Sequence, residues 1–172
     1  MTQDIAKNDA FCPMAWNGLY IEPTGVVDNC CVSKNRLGNI NDQNLGDILS
    51  GPRAREVRKS MLKGVKVPGC QICYSPRVKM VTPRDTHISV LINEYRNEHL
   101  YKDADSFAIE YLDIRFRNTC NFACVYCGPE LSSLWATEMK VFPIVENNSL
   151  KKSVDYVCKN LSSVQRVYLA GA

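Results

Sequence analysis

Apolar positions near the start of the chain come in short runs separated by turn residues. Trp16, Leu19, Tyr20 and Ile21 form a strand-like run closed by Pro23, Thr24 and Gly25, which carry turn chemistry. Val26 and Val27 begin a second strand that ends at Cys30 and Cys31, so the unit reads as a hairpin. Leu37, Gly38, Asn39 and Ile40 predict another turn, followed by a short helix from about Leu45 to Ser50 that Gly51 and Pro52 stop. From Pro52 to about Leu62 the period is helical. Ala54, Val57 and Met61 share one side, and Arg53, Arg55, Arg58 and Lys59 make a basic side expected to face water.

Tyr74 to Glu110 reads as a connector. Thr82, Pro83 and Asp85 resemble a helix start, and Ile88, Leu91, Ile92 and Tyr95 form an apolar stripe expected to pack. His87 and His99 have no partner in sequence and are expected to be ordinary histidines. Beyond the polar stretch 102–106, Leu112, Ile114 and Phe116 alternate with Asp113, Arg115 and Arg117, the period of a half-buried strand. Pro129 then opens a stretch with Leu131, Leu134, Trp135 and Met139 on one helical face. Asn148 or Ser149 can cap a further helix whose Val154, Val157, Cys158 and Leu161 share a face, with Cys158 expected to be buried packing. Val164 to Ala170 reads as another strand. Strands alternating with helices in the second half, after a hairpin and helices in the first, predict an α/β fold, α+β overall.

Composition narrows the classes. Of 172 residues 45% are hydrophobic, enough for a core, and a net charge of +3 gives no reason to invoke nucleic acid or a membrane surface. The polar start and the absence of a long apolar run predict a soluble cytoplasmic protein. Nine cysteines are a heavy load for such a chain, and in a reducing compartment they favour metal ligation over disulfides. With two histidines, any metal centre must be built almost wholly from thiolates, which suit iron-sulfur clusters or zinc.

The cysteines fall into two groups. Cys120, Cys124 and Cys127 read as C-x3-C-x2-C, with Tyr126 just before the last thiol, in a loop between the predicted strand and helix. Three thiolates can hold three irons of a 4Fe-4S cube and leave the fourth open to a substrate or cosubstrate. Cys12, Cys30, Cys70 and Cys73 supply four more ligands, the last two as a C-x2-C turn, and Cys31 could replace Cys30. A structural zinc could use the same four thiolates.

The C-x3-C-x2-C loop resembles the signature of the radical S-adenosylmethionine (SAM) enzymes. The resemblance implies that Cys120, Cys124 and Cys127 hold a 4Fe-4S cluster whose open iron chelates SAM. It also implies that SAM is cleaved to a 5'-deoxyadenosyl radical that abstracts hydrogen, and that Tyr126 lies near the adenine. It singles out no catalytic side chain. The family's second strand commonly runs into a GGE-type turn that binds the SAM amino group. Gly171 meets its first glycine position, and Ala172 stands where the next is expected.

Twelve residues separate Cys12 from Gly25 and four separate Gly25 from Cys30, an arrangement similar to the start of the SPASM auxiliary-cluster domain. No cysteine occurs between Cys73 and Cys120, which points to its shorter one-cluster relative, the Twitch domain. The expected organisation is therefore a SPASM/Twitch-like module over 1–80, a helical connector over 81–110, and over 111–172 the first one or two units of a partial (β/α)6 barrel. At ~30 residues per unit, a whole barrel needs more chain. The expectation is the amino-terminal portion of a longer enzyme.

The resemblance further implies an auxiliary 4Fe-4S cluster, an electron donor such as flavodoxin or ferredoxin, and a substrate that in many relatives is a peptide or protein. A non-catalytic iron-sulfur or electron-transfer protein and a zinc-binding interaction module are the alternatives.

Overall fold

The computed structural model describes residues 8–75, 100–115, 117–125, 127–141 and 150–170. The connector helix predicted from Thr82 to Tyr95, both histidines, Phe116, Tyr126, the Asn148 or Ser149 cap and Gly171 lie outside them. The first element is a short helix, α1 (Met14–Asn17), which passes directly into β1 (Gly18–Ile21). Trp16, expected in the strand, belongs to this helix and is fully buried. Pro13 at the helix start explains the change, since its fixed φ suits the entry to a helix.

β2 (Val26–Asp28) pairs antiparallel with β1, as the hairpin pattern predicts. Gly25 turns the corner at φ 85°, a left-handed conformation that glycine adopts without steric cost. The turn expected at Leu37–Ile40 instead contains β3 (Gly38–Asn39), which pairs with β2. α2 (Leu45–Leu49) and α3 (Pro52–Leu62) follow within a residue of their predicted limits. A 3-10 turn (Pro68–Cys70) leads into α4 (Gln71–Tyr74).

In the second half, β4 (Tyr111–Arg115), α5 (Ser133–Met139), α6 (Leu150–Asn160) and β5 (Arg166–Ala170) appear in that order. The described strands form one mixed sheet, ordered β3-β2-β1-β4-β5, in which β4 runs parallel to both β1 and β5. The chain is therefore mixed α/β, and β4 is paired on both edges. β5 closes one end of this order, with Val167, Tyr168 and Leu169 exposed.

Two apolar clusters hold these parts together. Leu19, Ile21, Leu112 and Ile114 share one sheet face and pack with Ile48, Leu49 and Val157 from the helices. Phe11, Trp16, Val57, Met61 and Tyr101 form the second cluster, between α1 and α3. The segment before β4 is laced to the first half. Trp16 Nε1 donates to the Asp103 carbonyl at 2.7 Å, and Asn17 Nδ2 donates to that of Ala108 at 3.1 Å.

Three expectations of burial or exposure change. Arg58, assigned to a wet basic face, is buried, and it donates to the carbonyls of Ala104, Leu49 and Ala15 at 2.6, 3.1 and 3.4 Å. Segment 103–105 docks on that side of α3 and supplies the carbonyl that a helical period cannot foresee. Burial pulls the Arg58 guanidinium down to about 10, which leaves it charged at neutral pH. Cys158, expected as packing, is exposed, while Val157 beside it enters the core. Asp113, expected on a polar face of its strand, is buried, with its Oδ1 3.8 Å from Arg115 Nε.

Candidate metal centres

β4 delivers the C-x3-C-x2-C loop at its carboxyl end, and the loop runs into α5. Three side chains of α5 and its cap grip the loop backbone. Ser132, the N-cap, accepts from Trp135 N at 3.3 Å and donates to the Phe122 carbonyl at 2.8 Å. The Ser133 hydroxyl lies 2.9 Å from Cys120 N and 3.0 Å from Cys120 O. Trp135 Nε1 donates to the Cys124 carbonyl at 2.9 Å. The carbonyls of Cys120, Phe122 and Cys124 are thus satisfied, and the three thiols stay partly exposed.

The helix was expected to begin at Pro129, but 129–131 form a turn and the helix starts after Ser132. A serine three residues before Trp135 was the available signal, because N-caps favour short polar side chains. Phe122 and Val125 project into solvent at 63% and 97% exposure. The Cys127 thiol is pushed up by desolvation and then by Cys124 and Cys120, while Arg115 opposes the shift. Both other thiols of the motif therefore lie within electrostatic range of Cys127.

The first-half cysteines are set differently. Cys12 immediately precedes Pro13 and α1, and Cys30 follows β2. Cys70 ends the 3-10 turn and Cys73 lies in α4. Burial pushes the Cys30 thiol well above the usual range, with further upward contributions from Cys12, Cys31 and Cys70. Burial also raises Cys70, with Cys73 adding to the shift and the Asn35 amide opposing it. These four thiols thus form one electrostatic neighbourhood. The Cys31 residue is exposed overall, while desolvation of its sulfur raises the thiol first, followed by Asp113, with Arg115 opposing and Cys73 adding. Arg115 stands within electrostatic range of both Cys31 and Cys127.

A buried polar network, absent from the sequence reading, frames Cys30 and Cys70. The Asp28 carboxylate accepts from Ser33 Oγ, from Asn29 N at 3.1 Å and from Arg36 N at 2.9 Å. Asn29 Oδ1 accepts from Asn35 Nδ2 at 3.0 Å. Asn and Asp close to a turn were the signal, since they hydrogen-bond locally to backbone.

None of the nine cysteines, all among the described residues, forms a disulfide. Among those residues no three His, Cys, Asp or Glu side chains converge closely enough to hold a metal ion. The fit of a metal group therefore rests on the donor set and its surroundings. Four thiols, with Cys30 in range of Cys12 and Cys70 and Cys70 in range of Cys73, supply beside a buried N–H donor the donor set of a thiolate-ligated cluster at the first site. Three thiols in a backbone-anchored loop suit one with an open position at the second.

Residues 12–74 match the SPASM family, an iron-sulfur cluster-binding domain. The matched stretch begins at Cys12 and includes Cys30, Cys70 and Cys73, so iron-sulfur binding by the first module has support independent of the thiol geometry. Such domains occur in radical SAM enzymes. No curated protein and no solved structure matches the chain. No helix among the described residues is long and apolar enough to cross a membrane.

Proposed function

We propose that the chain is a radical SAM enzyme whose SPASM-matched module carries an auxiliary iron-sulfur site beside the SAM-binding site. Cys12, Cys30, Cys70 and Cys73 would ligate the auxiliary cluster in a one-cluster, Twitch-like arrangement. Cys30 is preferred to Cys31 because it is coupled to both Cys12 and Cys70. Cys120, Cys124 and Cys127 would hold a second 4Fe-4S cluster, with Tyr126 and Gly171 toward SAM. The observation that carries the reading is the placement of C-x3-C-x2-C at the carboxyl end of a parallel strand leading into a helix, where barrel enzymes keep their reactive groups.

When bound, the cluster and SAM would supply one-electron cleavage and hydrogen abstraction. The protein's part is placement. Ser132, Ser133 and Trp135 fix the backbone of the thiol loop, and Arg115 offsets the negative charge that gathers at Cys127. The reading implies a cytoplasmic enzyme reduced by a flavodoxin or ferredoxin, with a peptide or protein among its substrate classes.

Anaerobic reconstitution tests it. Iron and acid-labile sulfide should fall by about half when Cys120, Cys124 and Cys127 become alanine, as expected when one of two cubes is lost. SAM should alter the electron paramagnetic resonance (EPR) spectrum of the unsubstituted chain and leave that of the triple variant unchanged. Colourless protein with stoichiometric zinc would rule the reading out.

A further inference from the structure

Asn35 joins the loop that carries Cys30 to the turn that carries Cys70. Its side chain is buried at 2% exposure, and Nδ2 donates both to Asn29 Oδ1 at 3.0 Å and to Cys70 Sγ at 3.4 Å. The opposite amide orientation would set an oxygen against Asn29 Oδ1, two acceptors, so the network assigns the nitrogen to this end, where it also reaches the Cys70 sulfur. The surrounding backbone is latched. Lys34 N donates to the Gly69 carbonyl at 2.8 Å, and Arg53 Nε donates to that of Asn35 at 3.2 Å. Gly69 leaves room for this approach, since a Cβ there would collide with Asn35 Oδ1. That oxygen has no hydrogen-bond partner, so the side chain's donor contacts define its position.

We propose that Asn35 is a positioning residue of the four-cysteine site, its amide N–H holding the Cys70 sulfur in ligating orientation and drawing charge from it. The proposal rests on the reading of Cys12, Cys30, Cys70 and Cys73 as ligands. Hydrogen bonds to ligating sulfurs and other outer partners fix ligand orientation and tune reduction potential. A donor that withdraws charge from a thiolate stabilises the more negative, reduced state. Asn35 therefore raises the potential of a cluster ligated through Cys70.

The experiment uses the full chain with Cys120, Cys124 and Cys127 replaced by alanine, so that only the first site loads. Titration with spin-active cadmium should give the resonance of a four-thiolate site. The Asn35 side-chain amide proton should show scalar coupling to the metal through Cys70. In the iron-sulfur form, Asn35→Leu should shift the one-electron equilibrium about tenfold toward the oxidised state, ~59 mV more negative. Asn29→Ala, which loosens the network and keeps the donor, should move the potential far less.

A four-thiolate cadmium signal without the coupling overturns the role of Asn35 and leaves the ligand assignment standing. An unchanged potential in folded Asn35→Leu protein does the same. Failure of the four thiolates to take up cadmium overturns the ligand assignment and the proposal with it. Should the leucine variant not fold, the cadmium coupling in the chain with Asn35 intact decides the matter.

Discussion

The two cysteine groups are held in opposite ways. Around Cys30 and Cys70 the support comes from buried side chains, with Asp28, Asn29, Ser33 and Asn35 bonding one another and adjacent backbone. Around Cys120, Cys124 and Cys127 it comes from the start of one helix, which grips the loop backbone and leaves Phe122 and Val125 bare. A network of buried polar groups tolerates little rearrangement, because each unpaired member is costly. A loop anchored along its backbone can keep one side open. The first arrangement suits a site that only has to hold its group, and the second suits one that has to admit a ligand.

The comparison can be broken by substitution. Trp16→Ala should cost about 3–5 kcal/mol in denaturant unfolding, since it empties the centre of the second apolar cluster and frees the Asp103 carbonyl. Arg58→Met comes next, at about 2–3 kcal/mol, because three buried carbonyls lose their donor. A cost near zero would mean that Arg58 is solvated, as its sequence position suggests. In the cysteine loop, Ser132→Ala should cost about 1 kcal/mol through loss of the cap. On the proposed function, it should also speed the loss of iron from the second site and leave the first unaffected. Val125→Ala should change stability by less than about 0.5 kcal/mol, since the side chain touches almost nothing.

Stability against pH sharpens the same contrast. Burial raises the Asp113 carboxyl above its ordinary range, with Arg115 opposing, and burial likewise raises Glu110. A raised folded-state value means that the folded chain holds its proton longer than the unfolded one. These two groups therefore contribute stability that is fully present below the ordinary carboxylate range and is lost as pH rises through the raised values. Unfolding of the apoprotein followed across the acid range should show this slope, and Asp113→Asn should remove Asp113's share of it. An unaltered slope in that variant would place the carboxylate in water.

Local features were legible without the fold. The Pro23–Gly25 turn and its flanking valines gave a true hairpin, and the period of Ala54, Val57 and Met61 gave α3 its limits. Each is decided by residues a few positions apart. The thiol spacing also pointed to iron-sulfur chemistry before any packing was known, and the family match over 12–74 supports that for the first group. Asn35 was not legible, because a lone asparagine in a turn resembles any other until Cys70 is brought against it.

Sequence alone determined which residues could carry metal chemistry and which stretches alternate or wind, because spacing and periodicity are properties of neighbours along the chain. Tertiary structure decided that Arg58 and Asp113 are buried and that Cys158 is exposed. It also decided that β4 joins the hairpin strand β1. Periodicity gives the direction a side chain takes from its own element. What it meets there is set by a segment distant in sequence, such as the Ala104 carbonyl that Arg58 reaches across 46 positions.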